Sequence, residues 1–196
     1  MTDDVSYSIV DIRRFDDAQI EGFYEYLSPD RKAKADACKL TNDRKLSILS
    51  SFQLERLLEG MDVQKPYNYT YLPSGKPVLD GENVYFSISH SGNFAAAVVS
   101  KKYSVGIDVE DMVSKKRDPE RLKKVSEKYF LPEELEMIDD SEMFFRIWTM
   151  KEAYMKAIGK PLLTVFREKA YDPEDIALTQ KHSSDAVFSI YRVVPE

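Results

Sequence analysis

Hydrophobic and polar positions alternate between two periods along this chain, and the changes of period mark its elements. Residues 5–12 place apolar and β-branched side chains at alternate or adjacent positions, which predicts a strand. Residues 16–27 carry Ile20, Phe23, Tyr24 and Leu27 at helical spacing. Ser28-Pro29 reads as a cap followed by proline at the first helical position. A longer helix is expected over 42–60, capped by Thr41 or Asn42 and stopped by Gly60. Short strands follow at 68–72, 84–89 and 94–100, with a turn at 73–77 and a hairpin connection at 90–93. Residues 104–110 read as a strand with Val105, Ile107 and Val109 on its core side and Asp108 and Glu110 together on the other. The most apolar helix is expected over 143–158, stopped by Gly159 and Pro161. Strands are expected at 163–171 and 186–194, and 181–185 has turn composition.

Helices interleaved with hairpin strands point to an α+β fold rather than a doubly wound parallel sheet. The 196 residues fit one large domain or two of about 100 residues. Each half mixes helices and strands, with a join near Lys101 to Val105, so the expected division is 1–103 and 104–196. At 43% hydrophobic and 12% aromatic residues the chain can bury a substantial core. Its net charge of −6 argues against bulk nucleic-acid binding. One cysteine, Cys38, excludes an internal disulfide and a Cys-based zinc site. The longest purely apolar run, 94–99, is six residues, far short of a membrane span, and no signal-peptide pattern opens the chain. A cytoplasmic monomer is the expectation.

Charge then changes the picture locally. Glu152 and Lys156 stand one turn apart on the apolar 143–158 helix, beside Trp148. An ordinary surface pair would explain them, but so would a site that uses both charges. Asp108 and Glu110 repel each other on one strand face unless a cation offsets them. Together with Glu152 they form an oxygen-only set suited to Mg²⁺. Arg31, Lys34, Arg44, Lys45 and Lys76 offer phosphate contacts, and Ser89 and His90 offer polar ones. The residues alone suggest Mg²⁺-dependent chemistry on a phosphoanhydride, without a Walker A, kinase or dinucleotide motif.

Four segments carry a family resemblance. Val105-Gly106-Ile107-Asp108-Val109-Glu110 is followed, 44 positions from Asp108 to Glu152, by Trp148-Thr149-Met150-Lys151-Glu152-Ala153-Tyr154-Met155-Lys156. Upstream stand Ser74-Gly75-Lys76-Pro77 and Phe86-Ser87-Ile88-Ser89-His90-Ser91-Gly92. In order and spacing these resemble the motifs of 4′-phosphopantetheinyl transferases of the Sfp type. The resemblance implies two similar α+β subdomains related by a pseudo-two-fold, and transfer of the phosphopantetheine arm of coenzyme A to a serine of an apo acyl or peptidyl carrier protein. By motif position, Asp108, Glu110 and Glu152 would hold Mg²⁺, and Glu152 would also act as general base. Lys156 would bind the pyrophosphate. Ser89, His90 and Lys76 would contact coenzyme A, and Arg31, Lys34 and Arg44 or Lys45 its 3′-phosphate. The basic stretch 111–128, with seven basic residues against four acidic, is the expected carrier surface. The alternatives are a non-catalytic coenzyme A or carrier-binding module, and a different Mg²⁺ phosphotransferase.

Overall fold

The computed structural model describes residues 4–113, 118–161 and 166–195. Its elements are β1 (Val5–Asp11), α1 (Asp17–Tyr26), α2 (Pro29–Asp36), α3 (Thr41–Gly60), β2 (Tyr69–Tyr71), β3 (Pro77–Leu79), β4 (Tyr85–Ser91), β5 (Phe94–Ser100), β6 (Ser104–Asp111), α4 (Pro119–Tyr129), α5 (Pro132–Met137), α6 (Ser141–Ile158), β7 (Leu178–His182) and β8 (Ala186–Val193). The fold is α+β, as the interleaved pattern requires.

Two antiparallel three-stranded sheets form the frame, in the orders β1-β5-β4 and β6-β8-β7, and β2 pairs with β3 in a small ribbon. Each three-stranded sheet puts its first strand at one edge and its last in the middle, and each has a long helix between its first strand and its closing hairpin. The two halves therefore repeat one topology. The first sheet packs one face on α3, where Leu54, Leu58, Phe86, Ala97 and Val99 are buried together. Its other face meets the second sheet through Ala96 and Val98 against Val105, Ile107 and Val109. Helix α6 covers the far side of the second sheet, in a core that includes Phe144, Phe145, Ile147, Met150, Val187 and Tyr191.

Local chemistry sets the ends of these elements. Asp16 and Gln19 form a reciprocal capping box at the start of α1, at 2.8 and 3.0 Å. Asp140 accepts from the Met143 amide at 2.8 Å to begin α6. Gly159 ends α6 at φ +66°, the left-handed conformation that glycine adopts without a Cβ penalty.

Several expectations need correction. Leu40, not Thr41 or Asn42, stands at the N-cap of α3, and the Asn42 side chain instead donates to the Gly92 carbonyl at 3.1 Å. Strand β4 continues to Ser91, pairing His90 with Ala95, so the hairpin turn shrinks to Gly92-Asn93 with Gly92 at φ +57°. Strands β3 and β7 were not anticipated, and Lys181 and His182 belong to β7 rather than to a turn. Of the strand expected at 163–171, residues 162–165 lie outside the described residues, and 166–171 form turns and irregular backbone. Among the described residues no helix is long and apolar enough to cross a membrane.

Candidate functional site

Strand β6 and helix α6 can approach closely because one residue between them lacks a side chain. A Cβ on Gly106 would stand 1.9 Å from the Ala153 carbonyl oxygen and 2.6 Å from the Ala157 nitrogen. Glycine at 106 thus lets the helix backbone rest on the strand. Asp108, two residues along, projects on the same face as Gly106 and meets the turn of α6 between Glu152 and Lys156.

The Lys156 ammonium lies among the acids. Its Nζ donates to Asp108 Oδ1 at 2.6 Å, to the Ile107 carbonyl at 3.1 Å and to Ser89 Oγ at 3.2 Å. It stands 3.7 Å from a Glu152 carboxylate oxygen. Burial pushes the Glu152 carboxyl up to about 8, with Asp108 adding to the rise and Lys156 opposing it. Asp108 is raised for the same first reason, burial, against the pull of Lys156. Burial alone would lower the Lys156 ammonium, but Asp108 and Glu152 outweigh it and hold it above its ordinary value. Glu152 and Lys156 are not a solvated surface pair: their side chains are only 14% and 26% exposed, beside the buried Asp108 and Glu110.

The other side of the site comes from the first sheet. Strand β4 runs beside β6 and is joined to it by side chains. Ser89 Oγ donates to Asp108 Oδ1 at 2.8 Å, and Ser91 Oγ donates to Glu110 Oε2 at 2.6 Å. The Asn93 amide and side chain both donate to Asp111 Oδ2, at 2.9 and 3.0 Å. Serines at every second position of β4 thus meet carboxylates at every second position of β6. Sequence reasoning placed Ser89 and Ser91 at a strand end facing a ligand, but did not foresee that they hold carboxylates of β6, and it gave Asn93 no role. Their signal was two strands with polar residues in matching alternation. His90 is one residue out of phase with the serines, exposed, and leaves on the opposite face.

The carboxylates pass a chemical test as cation ligands. Asp108 Oδ2 is buried with no hydrogen-bond partner, an orphan that a cation would satisfy. All the donors are carboxylate oxygens, as a hard cation prefers. Among the described residues, however, no three such side chains converge at metal-holding spacing. Asp108, Glu110 and Glu152 share a neighbourhood in which the ammonium of Lys156 neutralises part of the charge.

The basic residues divide into two groups. Arg31 is 3% exposed, its guanidinium stacked 4.1 Å over the Tyr69 ring. Its Nε and Nη2 and the Tyr69 hydroxyl are buried without hydrogen-bond partners. Lys34 is exposed and lies 4.6 Å over the Tyr71 ring. Arg44 instead pairs with Glu21 at 3.2 Å and Asp36 at 3.6 Å, and Lys45 pairs with Asp17, so both tie α3 to its helical neighbours. Lys76 reaches across from the β2–β3 turn to the carbonyls of Val105 and Lys156, at 3.3 and 2.5 Å, and burial brings its ammonium down to about 8. A cavity of about 230 Å³ opens beside it, lined by Ser74, Lys76, Phe86, Ser87, Met155 and Lys156 among others.

Lys151, for which the sequence offered no role, points away from the site. It is 1% exposed and pairs with the fully buried Glu134 at 2.8 Å, while donating to the carbonyls of Phe166 and Lys169. Glu134 in turn accepts from the amides of Leu131 and Tyr171. This pair fixes α5 and residues 166–171 to α6. Trp148 stacks on Phe144 and meets Phe166 at a tilt, packed against the core.

Fold and site together define an α+β protein in which carboxylates on a strand face a glutamate and a lysine on a helix, at the junction of two topologically similar halves. The model of the 4′-phosphopantetheinyl transferase superfamily matches residues 104–192, the segment that carries Asp108, Glu110, Glu152 and Lys156. It is 28% identical over 193 residues to the 4′-phosphopantetheinyl transferase HetI of Nostoc sp., an alignment covering 92% of this chain and 78% of that protein. It is 27% identical over 183 residues to the L-aminoadipate-semialdehyde dehydrogenase-phosphopantetheinyl transferase of Homo sapiens, covering 83% and 58%. Over 92 residues it is 36% identical to the 4′-phosphopantetheinyl transferase gsp of Aneurinibacillus migulanus, covering 44% and 35%. A further relative, slr0495 of Synechocystis sp., is spanned over 60% of its length.

Proposed function

We propose that this protein transfers the 4′-phosphopantetheine arm of coenzyme A to a serine hydroxyl of an apo acyl or peptidyl carrier protein, releasing adenosine 3′,5′-bisphosphate. The observation that carries the reading is the meeting of Asp108 with Glu152 and Lys156 inside the segment that the family model matches. In the reaction the serine oxygen forms a bond to the β-phosphorus of coenzyme A, and the bond from that phosphorus to the bridging oxygen breaks. The serine proton is taken up by a base, and the leaving phosphate carries the displaced electron pair.

Each chain residue has a part in that scheme. Glu152 is the base that receives the serine proton. Lys156, held charged by Asp108, donates to a pyrophosphate oxygen and offsets charge on the leaving phosphate. Ser89 and Ser91 hold Asp108 and Glu110 in fixed orientation. Asp108, Glu110 and Glu152 are the residues that would hold Mg²⁺, which when bound supplies charge neutralisation to the pyrophosphate. Arg31, whose buried Nε and Nη2 make no hydrogen bond and whose Nε lies 3.7 Å from Asp30, and the neighbouring Lys34 suit the 3′-phosphate. Arg44 and Lys45 already spend donors in hydrogen bonds to Glu21 and Asp17 and are left out of that subsite. Ser89 and His90, near the end of β4, are the residues assigned to polar contacts with coenzyme A. We read residues 1–103 and 104–196 as two subdomains, with coenzyme A between them.

The carrier surface falls on α4, where Arg121, Lys123, Lys124 and Lys128 are exposed against Glu120 and Glu127. Lys115, Lys116 and Arg117 of the same basic stretch lie outside the described residues. A local basic face would attract an acidic carrier despite a net charge of −6. The proposed activity is tested by chromatography of a mixture of protein, coenzyme A, Mg²⁺ and apo-carrier protein. Adenosine 3′,5′-bisphosphate must accumulate in step with consumption of coenzyme A. If coenzyme A were instead hydrolysed without carrier, or left intact with several carriers, the reading would fail.

A further inference from the structure

The last turn of a helix leaves carbonyl oxygens that no intrahelical amide reaches, and their partners show what holds the helix end in place. At the end of α6 the Met155 carbonyl accepts from the Gly159 and Lys160 amides. The Ala157 carbonyl accepts from Ser104 Oγ at 2.5 Å, on the adjacent strand β6. The Lys156 carbonyl is capped from the other half of the chain, by the Lys76 ammonium at 2.5 Å, and the same ammonium reaches the Val105 carbonyl of β6 at 3.3 Å. Lys76 is therefore a cation at a helix C-terminus, where the helix dipole favours one. It also bridges α6 and β6 beside Gly106, where these two elements touch. Its own backbone is held by the turn, since the Leu72 amide donates to the Lys76 carbonyl at 2.9 Å. The Leu72 side chain from the same turn lies 3.2 Å from where a Cβ on Gly159 would stand.

From this geometry we infer that Lys76 is a positioning residue: it fixes the last turn of α6, and with it Lys156, against Asp108, rather than binding coenzyme A through its ammonium. The inference deepens the proposed transferase reading and rests on it for its kinetic consequence. Its structural consequence is independent of that reading. Desolvation at this position fits the role, because an ammonium that spends its donors on two carbonyls has no carboxylate to support its charge.

The test compares wild type with Lys76→Met, which keeps the aliphatic stem, and Lys76→Gln, which keeps one donor. Three quantities are read: amide hydrogen exchange of Gly159 and Lys160, the dissociation constant of coenzyme A by calorimetry, and kcat at saturating coenzyme A. For Lys76→Met, exchange of the two amides should speed up by roughly tenfold or more and kcat should fall by a similar factor, while the coenzyme A dissociation constant stays within about threefold. Lys76→Gln should recover part of both losses, and it supplies the reading if Lys76→Met does not fold. Unchanged exchange, or a coenzyme A dissociation constant raised tenfold with kcat intact, would overturn the inference and make Lys76 a coenzyme A ligand. If wild type shows no transfer, the functional reading falls, while faster exchange in the variants would still support the capping role.

Discussion

Replacing Gly106 by alanine tests the closeness on which the whole site depends. The backbone at 106 is ordinary strand, so the substitution carries no conformational penalty of its own, and only space decides its effect. The new methyl group would stand 1.9 Å from the Ala153 carbonyl oxygen, and ordinary contact begins near 3.4 Å. Both nearest atoms are helix backbone, which cannot rotate away as a side chain would. Either α6 moves off β6 by about 1.5 Å or the strand bends by that amount. The 2.6 Å contact of Lys156 with Asp108 would open toward 4 Å, beyond hydrogen bonding. Overpacking of this kind costs about 1–3 kcal/mol or more, and a misplacement of about 1 Å can cost on the order of a hundredfold in rate. Urea denaturation should therefore show a loss of at least about 1 kcal/mol, and kcat/KM for carrier modification should fall about a hundredfold. A Gly106→Ala protein with wild-type stability and activity would refute the claim that this contact sets the site.

Three further outcomes follow from the buried charges and the basic face of α4. Glu152, raised to about 8 by burial, gains stability from protonation, so its contribution is complete below its unfolded value near 4.5 and is lost as pH rises toward 8. Glu152→Gln should thus stabilise the ligand-free protein at pH 8, on the order of 2 kcal/mol, and the difference should vanish below pH 4.5; a variant less stable than wild type at pH 8 would contradict this. Lys151→Met strands the buried Glu134 and should cost about 3–5 kcal/mol in urea denaturation, whereas adding Glu134→Gln should give back part of that loss. Charge reversal at Arg121, Lys124 and Lys128 should lower kcat/KM for the carrier and weaken its salt dependence without altering the coenzyme A dissociation constant; unchanged carrier kinetics would remove α4 from the docking surface.

Period and punctuation made most of the frame legible. The strand at 104–110 was readable because Val105, Ile107 and Val109 alternate with polar partners, and all three are buried between the sheets. The helix carrying Glu152 was readable from its apolar face and its Gly159 stop. What escaped lacked such a signal. Strand β3 is three residues long and starts at Pro77 directly after a turn. Strand β7, Leu-Thr-Gln-Lys-His, is a mostly polar edge strand whose identity comes from pairing with β8. Residues 166–171 carry Phe166 and Tyr171 and so resemble a strand, but their backbone groups are satisfied by Lys151 and Glu134 instead of a neighbouring strand. That substitution of side chains for a ladder is long-range and leaves no local pattern. The same limit applies to the site. Asp108, Glu152 and Lys156 were readable as a set from their motifs, whereas Ser91 holding Glu110 and Lys76 capping α6 depend on contacts between halves.

In the proposed reaction Asp108, Glu152 and Lys156 form the centre of a transferase acting on a carrier serine. The most direct measurement is the intact mass of an apo-carrier protein after incubation with coenzyme A, Mg²⁺ and either wild-type protein or Glu152→Ala. The account predicts a gain of one phosphopantetheine on the carrier serine with wild type and none with Glu152→Ala. An unmodified carrier with wild type, or an equal gain with both proteins, would contradict it.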